Sequence, residues 1–236
     1  MPDMPRTDLG PAASTGKPSG RQRRKAARPA ELLEAAMDLF VEKGFSAARS
    51  EEVAARAGVS KGTLYLYFPS KDDLFKSVIR TYLTAPIAEG QALADSFQGT
   101  CADLLGRLLR MLWQQLGHTP AGGVCKVVMA EARNFPDIAT FYVREVIEPT
   151  HRLMSGVLRR GVARGEFREL DTEHAVPALI APALLLAMHA HSVGACPACQ
   201  ELPQDADRTM ETHIHLILDG LLQRPSQASG PRQRPA

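Results

Sequence analysis

Leu33, Ala36, Met37 and Phe40 recur at the three- and four-residue spacing that lines one side of a helix, while Glu31, Glu34, Asp38 and Glu42 fall on its other faces. Pro29 suits a first helical turn and Gly44 the position just past a helix end, so the pattern predicts one amphipathic helix from Pro29 to Lys43. Two short helices follow. Ser50 is placed to cap Glu51 to Ala57, which Gly58 stops, and Ser60 is placed to cap Lys61 to Phe68, which ends before Pro69. A fourth helix opens at Ser70, with Asp73 at near capping-box spacing, and carries Leu74, Phe75, Val78, Ile79 and Tyr82. After Pro86 helical spacing continues over roughly Cys101 to Leu116, Gly123 to Ala132, Pro136 to Arg164, Asp171 to Ser192 and Asp205 to Gln223. No alternating run bounded by turn residues reads as a strand, and no internal repeat is present. The expected fold is all-α: a small N-terminal head of three helices and a larger helical body.

Composition adds two things to this picture. A chain of 236 residues, 44% hydrophobic, buries enough surface to hold a core without a metal or disulfide. The net charge of +2 is unevenly spread. Residues 1–28 carry seven basic residues (Arg6, Lys17, Arg21, Arg23, Arg24, Lys25, Arg28) against Asp3 and Asp8, a net of +5. Arg224, Arg232 and Arg234 give residues 224–236 a further +3, which leaves −6 for the stretch between. A basic arm on an acidic body suits a polyanion reached by one end of the molecule, and it equally suits a solvated tail. Both ends are rich in Pro, Gly, Ser and Arg without periodicity and read as disordered. The expected organisation is an arm over 1–28, a head over 29–80, a body over 81–223 and a tail over 224–236. The longest uncharged apolar stretch, Ala175 to Met188, is shorter than the ~20 residues a bilayer span takes and contains Pro177 and Pro182, so no membrane partner is expected. Four cysteines without a secretion signal point to free thiols and a cytoplasmic location.

The chemistry is carried by residues 52–68. Val53, Ala57, Val59, Leu64 and Phe68 are spaced to lock two short helices across a tight turn containing Gly58, with the small Ala54 and Ala57 allowing a close crossing. Lys61, Thr63, Tyr65 and Tyr67 are left facing outward, an unusual surface for a short helix unless something docks on it. The major groove of DNA admits one such helix, and the unpaired N–H groups at its N-terminus favour phosphate.

Over Leu32 to Leu74 the chain resembles the DNA-binding domain of the TetR (tetracycline repressor-like) family. The resemblance rests on Ala35-Ala36, Leu39-Phe40, Gly44-Phe45, the stretch from Val53-Ala54 through Ala57-Gly58-Val59-Ser60-Lys61-Gly62-Thr63-Leu64-Tyr65, then Tyr67-Phe68, Ser70-Lys71 and Leu74, in order and without a gap. The body is similar to the AefR-like branch of that family at Glu131-Ala132-Arg133-Asn134-Phe135-Pro136, at Gly165-Glu166-Phe167-Arg168 and at His191-Ser192. By position the resemblance implies that Lys61, Gly62, Thr63 and Tyr67 face bases or the groove floor. It implies a thymine methyl for Leu66 and phosphates for Arg49, Ser50, Tyr65 and Lys71, with Ser60 also counted among the DNA-binding residues. Arg49 and Ser50 depart from the family pattern of Thr and a larger apolar residue. Arg21, Arg23, Arg24 and Lys25 are placed to reach a minor groove. The resemblance further implies a homodimer joined by the last two helices, where Leu184, Leu185, Leu186, Leu216, Leu218 and Leu221 stand, and repression relieved by an unknown small-molecule effector. Two-fold symmetry then implies half-sites about 34–36 Å apart or a multiple of that.

Other groups resemble sites without completing one. Cys196 and Cys199 form a single Cys-x-x-Cys near His189 and His191, which keeps open a redox- or metal-sensing regulator. Glu148 and His151 form a lone Glu-x-x-His, whereas di-iron bundles need two. His213 and His215 are two apart and cannot share a helix face. No catalytic motif or phosphate loop is present, which argues against a helical enzyme, and no cofactor is expected. Trp113, Met129, Phe141, Tyr142 and Met154 are the apolar residues placed to line an effector cavity between helices.

Overall fold

A computed structural model describes residues 20–196 and 205–223. Among them the chain forms only helices, turns and one isolated bridge between Phe167 and Leu222, in agreement with an all-α class. The head contains α1 (Gly20–Lys43), α2 (Ser50–Arg56) and α3 (Lys61–Tyr67). Then α4 (Lys71–Ile79) runs through a π-turn at Arg80–Thr84 into α5 (Ala85–Ser96). The body continues with α6 (Cys101–Gly117), α7 (Ala121–Glu131) and α8 (Pro136–Tyr142). A second π-turn at Val143–Ile147 leads into α9 (Glu148–Ala163), followed by α10 (Thr172–Ala190) and α11 (Ala206–Leu221).

Three features differ from the sequence expectation, and proline is involved in each. Helix α1 begins at Gly20, nine residues before the expected start, with Pro29 inside it. Residues 21–28 are almost all Arg, Gln, Lys and Ala, strong helix formers that carry the backbone through a residue withholding one hydrogen bond. Pro86 interrupts nothing. Helical spacing would pair its absent N–H with the Tyr82 carbonyl, and Gln115 Nε2 of α6 donates to that oxygen instead, at 2.7 Å. The helix expected over Pro136 to Arg164 is continuous but carries the second π-turn, which ends two residues before Pro149 just as the first ends two before Pro86. The two π-turns face one another. Arg80 lies 4.7 Å over the Phe141 ring and its Nε is 3.8 Å from Glu145 Oε2. Pro177 likewise frees the Glu173 carbonyl within α10, and His151 Nε2 of α9 sits 3.3 Å from it.

The head closes on Phe45. Fully buried, its ring packs against Phe40, Phe75 and Phe135 at centroid distances of 5.6, 5.0 and 4.7 Å. Phe135 belongs to the body, so this cluster is also a seam between the two parts. Glu131 at the end of α7 strengthens it by accepting from the Ser46 N–H at 3.0 Å. Lys126 Nζ donates to the last carbonyls of two helices, Val41 of α1 (3.4 Å) and His191 after α10 (2.9 Å), where a cation meets the negative ends of both.

Helix α11 is tied to α6 by polar contacts at its first turns. Arg110 grips Glu211 with two hydrogen bonds, at 2.7 and 2.8 Å. Trp113 Nε1 and His118 Nε2 both meet Asp207 Oδ1, at 2.6 and 2.8 Å. Those bonds, from Trp113 first and then His118, hold the Asp207 carboxyl below its usual value of 3.8. A depressed pKa contributes stability that is present above the unfolded-state value and lost as the pH falls through the folded one. On acidification below about pH 4, the docking of α11 is therefore expected to weaken. Trp113, the only tryptophan, reports it as a shift in fluorescence. The Asp207→Asn variant should lack that acid step. An identical step in the variant would place the titration elsewhere.

Candidate nucleic-acid interface and ligand cavity

Helices α2 and α3 are held as a pair by their own apolar residues. Val53, Ala54 and Leu64 are buried, Phe68 nearly so, and Ala57 and Val59 pack against them half-buried. The turn between them is a Schellman stop. Gly58 takes a φ of +65°, the Val59 N–H reaches the Ala54 carbonyl at 2.9 Å, and Gly58 N–H reaches Ala55 at 3.1 Å. Ser60 caps α3 by accepting from the Thr63 N–H at 3.1 Å, and the two hydroxyls lie 2.9 Å apart. What remains outward is the start and outer face of α3. Lys61 and Gly62 are exposed, Tyr65 is 38% exposed and Leu66 84% exposed, while Tyr67 and Thr63 are half-buried. A leucine left so open on a seven-residue helix has no role in the fold of this chain.

Two expected phosphate ligands are placed otherwise. Ser50 is buried as the first residue of α2, and the cap position belongs to Arg49, whose N–H donates to Glu52 Oε2 at 3.2 Å. A short Ser stands there at a packing position, so its hydroxyl is turned from solvent. Lys71 is turned inward. Its Nζ donates to the carbonyls of Phe45, Ser46 and Ala48 at 3.0, 3.3 and 3.2 Å and lies 4.6 Å over the Phe45 ring. An ammonium has three donors, and all three are used. Lys71 thus braces the loop between α1 and α2 rather than facing a phosphate. Arg49 and Tyr65 are exposed.

Lys61 is paired with Glu51 across the turn, both about half exposed, and Lys61 Nζ is 5.7 Å from the Tyr65 ring centre. The pair draws the Glu51 carboxyl down, chiefly through the hydrogen bond from Lys61. Glu51→Gln leaves the ammonium unpaired and removes a negative charge from the outward side of the α2–α3 pair. An exposed pair of this kind is screened by water and salt and its effect is modest. Operator titration of the variant is expected to show binding tighter by roughly 1.5–5-fold. Weaker binding would mean that Glu51 itself accepts from a base.

In the body, α5 to α10 enclose a cavity of about 910 Å³. Of the five residues expected to line it, Met129, Tyr142 and Met154 do. Trp113 and Phe141 do not. The indole N–H is bound to Asp207, and the Phe141 ring lies beneath Arg80 and Lys76, so each is directed by a polar or cationic partner that spacing does not reveal. Most of the wall escaped sequence reading: Leu108, Met111 and Leu112 of α6, and Val176, Ile180 and Leu184 of α10. Among the described residues no group of three or more His, Cys, Asp or Glu stands ready for a metal ion. Cys196 carries no disulfide, and Cys199 lies outside the described residues. Glu148 pairs with Arg152 and His151 with Glu173, so the Glu-x-x-His serves helix contacts.

Residues 32–78 match the family model of bacterial regulatory proteins of the tetR family, and residues 98–194 match a tetracyclin repressor-like C-terminal domain. The HTH-type transcriptional regulator RutR of Escherichia coli K12 is 30% identical over 169 residues, 71% of this chain and 76% of that protein. The chain belongs to the TetR family. It is a DNA-binding transcriptional regulator whose α2–α3 pair is the helix-turn-helix. Another relative, the transcriptional repressor KstR2 of Mycolicibacterium smegmatis, is 29% identical over 150 residues, 63% of this chain and 72% of that one. Two solved TetR-like folds superpose closely. FadR of Bacillus subtilis, in complex with stearoyl-CoA, has a TM-score of 0.67 at 18% identity, covering 81% of this chain and 98% of that one. A Saccharomonospora viridis regulator in complex with choline has a TM-score of 0.68 at 20% identity, covering 85% and 100%.

Proposed function

We propose that this TetR-family regulator is a cytoplasmic homodimeric repressor that leaves a palindromic operator when a small molecule fills the body cavity. The observation that carries the reading is the outer face of α3, where Lys61, Gly62, Tyr65 and Leu66 are exposed on a helix whose other side is locked by Leu64. In this reading Lys61, Gly62, Thr63, Leu66 and Tyr67 meet bases, and Arg49 and Tyr65 meet phosphates. The dimer is supported by α10. With the turn that follows it, residues 172–195, this segment is apolar and long enough to cross a membrane by length and composition, and only 22% of its 18-residue apolar stretch is buried in the chain. Outward Leu185, together with outward Leu216 on the neighbouring α11, offers one apolar surface for a partner copy. The AefR-like affiliation is supported by Glu131 and Phe135, which build the seam between head and body.

Release requires an effector that binds one head separation better than the other; a coupling of about 1–3 kcal/mol weakens DNA binding roughly 5–150-fold. Because the two superposed folds hold ligands as different as stearoyl-CoA and choline, the effector class has to be read from the walls of this cavity. Selection of binding sites from random duplex DNA at physiological salt tests the reading. A recovered palindrome bound at about 10⁻⁸–10⁻¹¹ M supports it. Binding that is blind to sequence and falls steeply with salt overturns it.

A further inference from the structure

The charges around the cavity narrow the effector. This step rests on the cavity being the effector site. Among the described residues its wall holds four ionisable side chains besides Tyr142 and Cys125: Glu89, Arg110, His118 and His151. Each of the three basic groups already has an acidic partner. Arg110 is gripped by Glu211 through both nitrogens, His118 by Asp207 at 2.8 Å, and His151 lies 3.5 Å from Glu173. An anion entering would have to displace one of those carboxylates. A cation fares no better, since Tyr142 is the only aromatic in the wall and Glu89 is exposed at the rim. Burying either charge in the remaining wall of Leu, Ile, Val and Met costs solvation that nothing returns.

Polar side chains near the cavity are also mostly committed. Gln115 serves the carbonyl freed by Pro86, and the Thr119 hydroxyl donates to Gln115 O at 2.6 Å. Gln114 is exposed and Thr150 half-buried, so the weakly satisfied group that is buried in the wall is Tyr142. Its hydroxyl, buried where the end of α8 meets α7, has only the Cys125 sulfur at 3.5 Å as acceptor, and a thiol is a weak one. Burial drives both groups toward their neutral forms, so the phenol is a standing donor. We propose that the effector is an uncharged, largely hydrocarbon molecule bearing an oxygen acceptor, and that the Tyr142 hydroxyl donates to that oxygen. The volume of about 910 Å³ lies near the upper end of ligand pockets, about 300–1,000 Å³, so a long chain or fused rings fit.

The test compares head groups on one chain length, at concentrations below micelle formation: methyl octyl ketone, decanoate and decyltrimethylammonium, with decane as the bare hydrocarbon. Binding to the full chain is measured by calorimetry and operator release by titration in parallel. The ketone is expected to bind at least ten times more tightly than either ion. Tyr142→Phe is expected to weaken the ketone about 2–10-fold, the net worth of one neutral hydrogen bond, and to leave decane unchanged. Tighter binding of decanoate or of the ammonium overturns the proposal, as does a ketone affinity unaffected in Tyr142→Phe, or no binding by any probe. A ketone that binds as expected yet leaves the operator occupied overturns effector release while the chemical class stands.

Discussion

Lys71→Met is expected to destabilise the head and, through that, to weaken DNA binding. The side chain keeps its length and its contact with the Phe45 ring, so the change isolates the ammonium. Three carbonyls of the α1–α2 loop lose their donor at once. Hydrogen bonds to a charged group contribute about 1.5–3 kcal/mol; water reaches part of this loop, so about 2–3 kcal/mol is the expected loss. Denaturation and operator titration on the same preparation should move together. Arg49→Ala is the contrast. Arg49 is exposed and its side chain caps nothing, so stability should hold within about 0.5 kcal/mol. Its DNA affinity should fall for every sequence alike, with a salt slope shallower by about one. If Lys71→Met unfolded at the wild-type midpoint and still bound DNA poorly, the ammonium would be a phosphate ligand after all.

The second large effect concerns α10 and α11. Leu185 and Leu216 are 69% and 68% exposed in the chain, so replacing both by aspartate should leave each protomer folded. In a symmetric dimer the two substitutions count on both sides. Burying one leucine contributes about 1.5–3 kcal/mol, so four lose about 6 kcal/mol or more, roughly four orders of magnitude in the dimerisation constant. Sedimentation should show a monomer with unchanged helical circular dichroism, and operator binding should fail at concentrations where the wild type saturates. A variant that stays dimeric would move the interface off these helices.

Much of the head was legible because it is governed by short-range rules. The Gly58 stop, the Ser60 cap and the buried Val53, Leu64 and Phe68 follow from residue type and spacing over a few positions. Lys71 and Ser50 escaped because a position in a motif does not say which way a side chain turns; tertiary contacts decide that. Proline misled for a related reason. Pro86 read as a break, yet Gln115, 29 residues later in the chain, takes over the carbonyl it orphans; Pro177 lies inside an expected helix, where His151 meets the carbonyl it frees. Little of the cavity was visible: Met129, Tyr142 and Met154 are on its wall, but the aliphatic residues around them are indistinguishable in sequence from core.

The pairing of Lys61 with Glu51 bears on how the operator responds to ionic strength. Most lysines that meet DNA arrive with mobile salt ions nearby, and the phosphates shed condensed cations when they dock. In the proposed interface Lys61 arrives with a counter-ion, Glu51, built into the chain. Exchanging Glu51 for a DNA acceptor trades one fixed negative partner for another, so part of the attraction is spent before contact. The exchange taxes correct and incorrect sequences alike. In the proposed interface, discrimination between them then falls to groups carrying no charge, Leu66 and the tyrosines among them, whose contacts persist as salt rises.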